Sequence, residues 1–193
     1  MATLERGFKS WCERASLAVR AELGLELHAP LPARRFADHL DVVLITPLDI
    51  EELPAATLNQ LTVVDPTGWS ALSVIVADRV TVIYNPNNSP GRQSSDVMHE
   101  LAHVVLEHEP SQLILSIKGD IAMRSFNAKQ EDEANWLGWT LLLPKVALEQ
   151  CASQKKHVSQ IATDYCVSEQ LVAFRRRMTG LDLQARRRRR ATT

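Results

Sequence analysis

The stretch SSDVMHELAHVVLEHEP, from Ser94 to Pro110, decides how the rest of this chain is interpreted. At its centre two histidines flank a glutamate in the pattern HExxH. On an α-helix, residues four apart lie on the same face, so His99 and His103 can offer imidazole nitrogens to one ion. Glu100 lies next to that face, where its carboxylate can take a proton from a water held by the metal. The pattern therefore predicts a metal site that hydrolyses peptide bonds, with Glu100 as general base and then general acid.

The alternative is an ordinary helix that carries two histidines. Apolar side chains surround the motif between Val97 and Leu106, which favours a helix buried on most of its circumference. Buried polar groups must find partners, and a metal ion satisfies two imidazoles at once. We predict a helix from about Asp96 to Glu107, capped by Ser94 or Ser95 and stopped before Pro110.

A catalytic zinc site needs a third protein ligand. His108 is five residues past His103, about 140° round a continued helix, and so is expected to point away from the metal face. Downstream, AKQEDEANWLGWTLLLP predicts a helix from about Lys129 to Leu143, with carboxylates near its start. Glu131 and Glu133 flank the apolar face of this helix by nearly equal angles, so the helical wheel leaves both open. Carboxylates at a helix N-terminus also simply complement its dipole.

The 193 residues, 45% hydrophobic and 23% charged, are typical of one globular domain. We expect a single domain over residues 1–180 and a basic, disordered tail over residues 181–193. The tail holds five consecutive arginines, leaving 17 basic against 23 acidic residues elsewhere. Nucleic acid is expected to bind only weakly, through this tail, because no aromatic residue is interleaved. Cys12, Cys151 and Cys166 form no CxxC pair, and no signal peptide or membrane span is evident, so we expect a cytoplasmic protein with no membrane partner.

Other segments suggest an α+β fold. Apolar spacing predicts a first helix from Leu4 to Leu23 that ends near Gly24, and a second from about Ala33 to Leu40. The run VVLIT is typical of a strand, and two β-branched runs between residues 71 and 85 predict a hairpin. Residues 144–180 are expected to be largely helical.

HELAHVVLEH, preceded by a strand that ends at Asn85 and followed by EDEANWLGWTLLLP, resembles the ImmA/IrrE family of metallopeptidases. The resemblance extends to WSAL at residues 69–72 and implies a zincin-like core, with a small sheet, an HExxH helix and additional C-terminal helices. It also implies a zinc ion held by His99, His103 and a glutamate. On ligand type, two imidazoles and a carboxylate favour zinc and also accept manganese or iron. The EAN of the family's second motif matches Glu133, which makes Glu131 the second choice. The family tends to have phenylalanine and alanine where this chain has Leu137 and Gly138.

Several family members cleave a helix-turn-helix repressor and so switch on phage, mobile-element, toxin-antitoxin or stress genes. The resemblance therefore implies a protein substrate, most plausibly a transcriptional repressor. The alternative is a DNA-binding or protein-binding regulator with a structural or vestigial metal site. Residues 157–180 resemble a small helix-turn-helix with Ser168 as a cap and Arg175–Arg177 behind it, although we favour two helices that pack on the core.

Two further features of the site remain expectations. The strand Val80–Tyr84 is a candidate for the edge of the sheet, where an extended substrate could pair with it. The equally weighted alternative is an internal strand. An oxyanion donor is also required for peptide hydrolysis. Tyr84, His157 and Tyr165 are the candidates that the sequence offers.

Overall fold

The computed structural model describes residues 4–108 and 127–182, together with the backbone of residues 114–115 and 121–122. The N-terminal half contains helices α1 (Phe8–Glu22), α2 (Ala33–His39) and α3 (Ala55–Asn59), and strands β1 (Val43–Ile45), β2 (Ala71–Val76) and β3 (Arg79–Tyr84). Next come α4 (Pro90–Val105), the short strands β4 (Ile114–Leu115) and β5 (Ile121–Ala122), and α5 (Ala128–Leu142). The C-terminal helices are α6 (Lys145–Ser153), α7 (Val158–Asp164) and α8 (Glu169–Met178). The α+β class and the helical C-terminal part are confirmed.

The main sheet has three strands in the order β1-β3-β2. Strand β3 pairs in parallel with β1 and antiparallel with β2, so it is the central strand. The edge position considered for Val80–Tyr84 is therefore wrong, and β2 lies at the edge instead. Ala77 and Asp78, in the turn between β2 and β3, both have positive φ, which matches the twist of a two-residue hairpin without the usual glycine.

Helix α4 begins earlier than the sequence predicted. Ser89 is its N-cap residue and Pro90 its first residue, rather than Ser94 or Ser95 followed by Asp96. Proline suits this first position because its φ is already helical and its missing N–H would have no partner there. Gly91 allows the turn between α7 and α8 to approach, since a Cβ at this position would lie 3.3 Å from the carbonyl carbon of Val167.

The C-terminal end of α5 is held by side chains from distant segments. Ser16 Oγ donates to the Thr140 carbonyl at 3.1 Å, and Arg20 Nη2 donates to the Leu141 carbonyl at 2.8 Å. Arg175 Nε donates to the Leu143 carbonyl at 3.0 Å, and its Nη2 pairs with Glu13 Oε1 at 2.7 Å. These bonds satisfy carbonyls that a helix end leaves without intrahelical partners. They fix α5, which contacts α4 along the core.

Helices α7 and α8 pack on the core. Ser168 caps α8 by accepting a hydrogen bond from the Leu171 amide at 3.1 Å, as the sequence predicted. Val172 and Arg175 of α8 are buried, which agrees with the packing interpretation of this helix pair. In the part of the chain that the structure describes, no helix has both the length and the apolar character needed to cross a bilayer.

Candidate metal centre

Three side chains from α4 and α5 converge at one point. His99 Nε2 lies 3.1 Å from His103 Nε2 and 3.3 Å from Glu131 Oε2. His103 Nε2 lies 3.7 Å from Glu131 Oε1. Among the described residues, these three form the cluster whose donor atoms are close enough together to hold a metal ion.

The spacing of these atoms fits a tetrahedral ion. Zinc binds imidazole nitrogens and carboxylate oxygens at about 2.0–2.2 Å, so two ligand atoms of one tetrahedral ion are roughly 3.3 Å apart. The observed separations bracket that value. Both imidazoles face the carboxylate through their Nε2 atoms, so one ion can be bound by the three side chains at once. Two imidazoles and one carboxylate form a donor set suited to zinc and also acceptable to manganese or iron.

The packing of α5 against α4 explains why Glu131 reaches the histidines. A Cβ on Gly138 would lie 3.3 Å from the Met98 carbonyl oxygen and 3.5 Å from the Cα of His99, so the two backbones nearly touch there. Glu131 precedes Gly138 by seven residues and therefore lies on the same face of the helix, about 20° away. Glu133 lies about 140° from that face. The side-chain geometry thus favours Glu131, the second choice from the family motif.

Glu133 forms a separate cluster behind the histidines. Its Oε2 lies 3.4 Å from His108 Nε2, and its Oε1 lies 3.8 Å from Lys129 Nζ. His108 Nδ1 in turn lies 2.9 Å from His103 Nδ1. His108 lies outside the metal cluster, as expected, but it contacts the far side of the His103 ring, because α4 ends at Val105 and the positive φ of Glu107 turns the chain back. Burial lowers the pKa of His108, an effect opposed by Glu133.

Glu100 is held beside the metal cluster. It is only 3% exposed, and its Oε2 accepts a hydrogen bond from Ser73 Oγ of β2 at 2.5 Å. A buried carboxylate needs such a partner. Ser73 belongs to no sequence motif, and a serine within the β-branched hairpin is only a weak signal of a polar group facing a site.

The cluster opens into a cleft of about 420 Å³ between β2, α4 and α5. Its lining includes Ser70, Ala71, Ser95, Asp96, Asn135 and Trp139. Burial raises the pKa of Asp96, and the nearby Arg92 opposes that rise. This side of α4 is thus polar and carries several carboxylates.

None of the three oxyanion candidates lies in this cleft. Tyr84 contacts Arg34 on the other side of α4, and His157 caps α7. Tyr165 donates its hydroxyl to the His28 carbonyl at 2.6 Å. Sequence spacing could not exclude them, because the positions of β3 and α7 relative to the cleft depend on tertiary packing.

Arg175 cannot read DNA in this fold. It is 1% exposed and is bonded to Glu13 and the Leu143 carbonyl. In the DNA-binding alternative this residue belongs to a recognition helix, and contact with DNA would require it to be accessible to solvent.

Comparison with known proteins relates the chain to a peptidase family. Residues 58–177, more than half of the chain, match the Peptidase_M78 family model, described as the IrrE N-terminal-like domain. The matched region contains β2, β3, α4 and α5, and hence the whole metal cluster. No curated protein matches the chain.

A solved structure has a similar fold. It is a Mycobacterium tuberculosis transcriptional regulator, 15% identical, with a TM-score of 0.51 over 89% of this chain. The present chain spans 47% of the length of that protein. At this identity the likeness concerns the fold alone.

Proposed function

Because this chain belongs to the IrrE N-terminal-like peptidase family, we propose that it is a zinc-dependent endopeptidase that acts on a protein substrate. The observation that carries this proposal is the convergence of His99, His103 and Glu131 at tetrahedral spacing, with the buried carboxylate of Glu100 beside them. We propose His99, His103 and Glu131 as the metal ligands, with Glu133 as the alternative third ligand. Zinc is preferred to manganese and iron on ligand type.

Each residue of the site has its own role in the proposed hydrolysis. When bound, the ion would act as a Lewis acid on the scissile carbonyl and lower the pKa of the attacking water. Glu100 takes the proton of that water and then delivers it to the leaving amine. Ser73 orients the Glu100 carboxylate by donating to its Oε2. His108 and Glu133 support His103 from the far side of its ring.

The substrate chain can pair with the exposed edge of β2. This strand has β3 on one side, and no described strand pairs with its other side. Ser70 and Ala71, at its start, line the cleft beside the metal cluster. An extended peptide added to β2 would gain backbone hydrogen bonds and run past Glu100. We propose a helix-turn-helix repressor as this substrate, on the basis of the family resemblance.

The first experiment tests the metal and the base together. Purified wild-type protein, Glu100→Gln and the control Glu107→Gln are analysed for zinc and incubated with repressor proteins encoded beside this chain. A proteome-derived peptide library serves as a second substrate. We expect about one zinc per molecule in all three proteins and cleavage by all except Glu100→Gln. Cleavage by Glu100→Gln, or none by zinc-loaded wild type, would contradict the proposal.

The third ligand is tested separately. We expect Glu131→Gln to lose stoichiometric zinc and Glu133→Gln to retain it, as measured by elemental analysis after dialysis. The opposite result would identify Glu133 as the ligand and overturn the assignment from the side-chain geometry.

Two further expectations from the sequence, the extent of the domain and the cellular location, are kept as proposals. We propose that residues 1–180 form one folding unit, since α1 and α8 both hold the end of α5. Of the tail predicted at residues 181–193, the first two residues are helical and Asp182 pairs with Arg176, whereas residues 183–193 lie outside the described residues. The cytoplasmic location also stays a prediction, and cell fractionation tests it.

A further inference from the structure

A second cavity lies on the side of α4 opposite the metal cleft. It has a volume of about 260 Å³ and is formed where α2, β1, β3, α4 and the turn between α7 and α8 meet. Pockets for drug-sized ligands are typically about 300–1,000 Å³, so this one suits a smaller molecule. None of the proposed metal ligands, nor Glu100, lines it.

The walls of this cavity are mainly apolar. They are formed by Pro32, Ala33, Leu44, Pro90, Val97 and the ring of Tyr84. Val97 and Tyr84 are buried, so this part of the wall belongs to the core. Such a surface favours the hydrocarbon or aromatic body of a ligand.

The polar side chains that line the cavity are those of Arg34, Tyr84, Gln93 and Ser94, and none of them is negatively charged. Arg34 Nη2 donates to the hydroxyl of Tyr84, and its guanidinium lies 5.1 Å from the centre of the Tyr84 ring. Tyr84 is only 8% exposed, and its own hydroxyl proton has no acceptor among the described residues. Ser94 adds a further hydroxyl. No carboxylate of the described residues lines this cavity, whereas the metal cleft contains Asp96, Glu100 and Glu131.

We propose that this cavity binds a small organic carboxylate whose apolar body packs against Leu44 and Val97. Its carboxylate accepts hydrogen bonds from the Arg34 guanidinium and the Tyr84 hydroxyl, a charge-assisted pair that supplies orientation as well as affinity. The ligand would lie between α4 and the turn that carries Cys166, and so would join the C-terminal helix pair to the helix of the HExxH motif. This site is distinct from the proposed peptidase site.

Cys166 provides a reporter for occupancy. It is exposed and lines the cavity, whereas Cys12 and Cys151 are buried. Burial also raises the pKa of both buried thiols, that of Cys12 to about 12. Iodoacetamide at mildly alkaline pH should therefore modify Cys166 alone in the folded protein, because the thiolate is the reactive form.

The test uses benzoate as the probe and benzamide as its neutral match. We expect benzoate to slow alkylation of Cys166 saturably, with a Kd of about 1 mM or lower for so small a ligand, and benzamide to protect at least about tenfold less well. Calorimetric titration should give the same Kd. Both measurements use the full chain and need no peptidase activity.

Two matched variants test whether Arg34 binds the carboxylate of the ligand. Arg34→Gln should weaken benzoate binding about tenfold or more, since it removes a charged hydrogen bond. Arg35→Gln is the control, because Arg35 lies on the same helix but donates to the Leu23 carbonyl away from the cavity. Equal protection by benzoate and benzamide, no saturable binding of benzoate, or undiminished binding in Arg34→Gln would each overturn the proposal.

Discussion

At the scale of single residues, the contact between Ser73 and Glu100 links the base to the strand at the edge of the sheet. Glu100 is almost completely buried, and the serine hydroxyl donates to its carboxylate. A buried carboxylate with too few hydrogen-bond partners turns towards others. The bond from Ser73 therefore limits the positions that the Glu100 carboxylate can take. Ser73 acts as a positioning residue for the proposed base.

Removing this hydroxyl should slow the reaction without removing the metal. For Ser73→Ala we expect kcat to fall about 10- to 100-fold, the effect of one hydrogen bond to a charged group, while KM and zinc content change little. Ser73→Thr should recover most of the rate because it keeps a hydroxyl. Steady-state kinetics on a cleaved substrate measure both, and wild-type kcat in Ser73→Ala would contradict the positioning role.

At the scale of elements, the close approach of α4 and α5 at Gly138 sets the position of Glu131. Only a glycine or a very small residue fits where a Cβ would be 3.3 Å from a backbone carbonyl oxygen. The same contact selects the face of α5 that points at the histidines.

Enlarging this residue should separate the two helices. We expect Gly138→Val to lower the free energy of unfolding by about 1–3 kcal/mol, the usual range for overpacking, and to weaken zinc binding. Ala152→Val, at an exposed position of α6, is the control and should change stability by about 0.5 kcal/mol or less. Denaturant unfolding and zinc titration measure the two effects. Tight zinc binding in Gly138→Val would show that the site tolerates a shift of α5.

Helix α8 offers a second test at this scale, through its buried arginine. Replacing Arg175 by methionine removes the donor of the Leu143 carbonyl and of Glu13 Oε1, while Glu13 Oε2 keeps its bond from the Lys145 amide. Breaking a buried pair typically costs about 3–5 kcal/mol, so we expect Arg175→Met to be strongly destabilised in denaturant unfolding. Arg177→Met, at an exposed position of the same helix, should be nearly neutral. Equal stability of the two variants would contradict the anchoring role of Arg175.

At the scale of the whole molecule, sequence periodicity predicted most helices and strands, and the HExxH spacing predicted that His99 and His103 lie close together. Gly24 ended α1 and Ser168 capped α8 because such signals act within a few residues. The start of α4, the contact of His108 and the partner of Glu100 were not predicted. The start of α4 has a local signal, Ser89 followed by Pro90, that the prediction missed. The contact of His108 depends on a chain reversal, and the partner of Glu100 comes from a segment far away in sequence. The helical wheel could not choose between Glu131 and Glu133, because the choice depends on how α5 packs against α4.

The region that matches the family model is smaller than the unit expected to fold. It begins at residue 58 and so omits α1, whose Ser16 and Arg20 bind the end of α5. A fragment of residues 58–193 is therefore expected to lose cooperative unfolding and stoichiometric zinc binding. Circular dichroism, size-exclusion chromatography and zinc analysis against the full chain test this. A compact, zinc-binding fragment would contradict it.

The bonds between α1 and α5 also constrain the order in which the molecule can be completed during synthesis. Ser16 and Arg20 leave the ribosome more than 100 residues before the carbonyls of Thr140 and Leu141 that they bind. His99, His103 and Glu131 are all translated before those carbonyls exist. A nascent chain can therefore contain every proposed metal ligand while the helix that carries Glu131 still lacks its final support. We expect the metal centre to mature late, after nearly the whole domain has emerged.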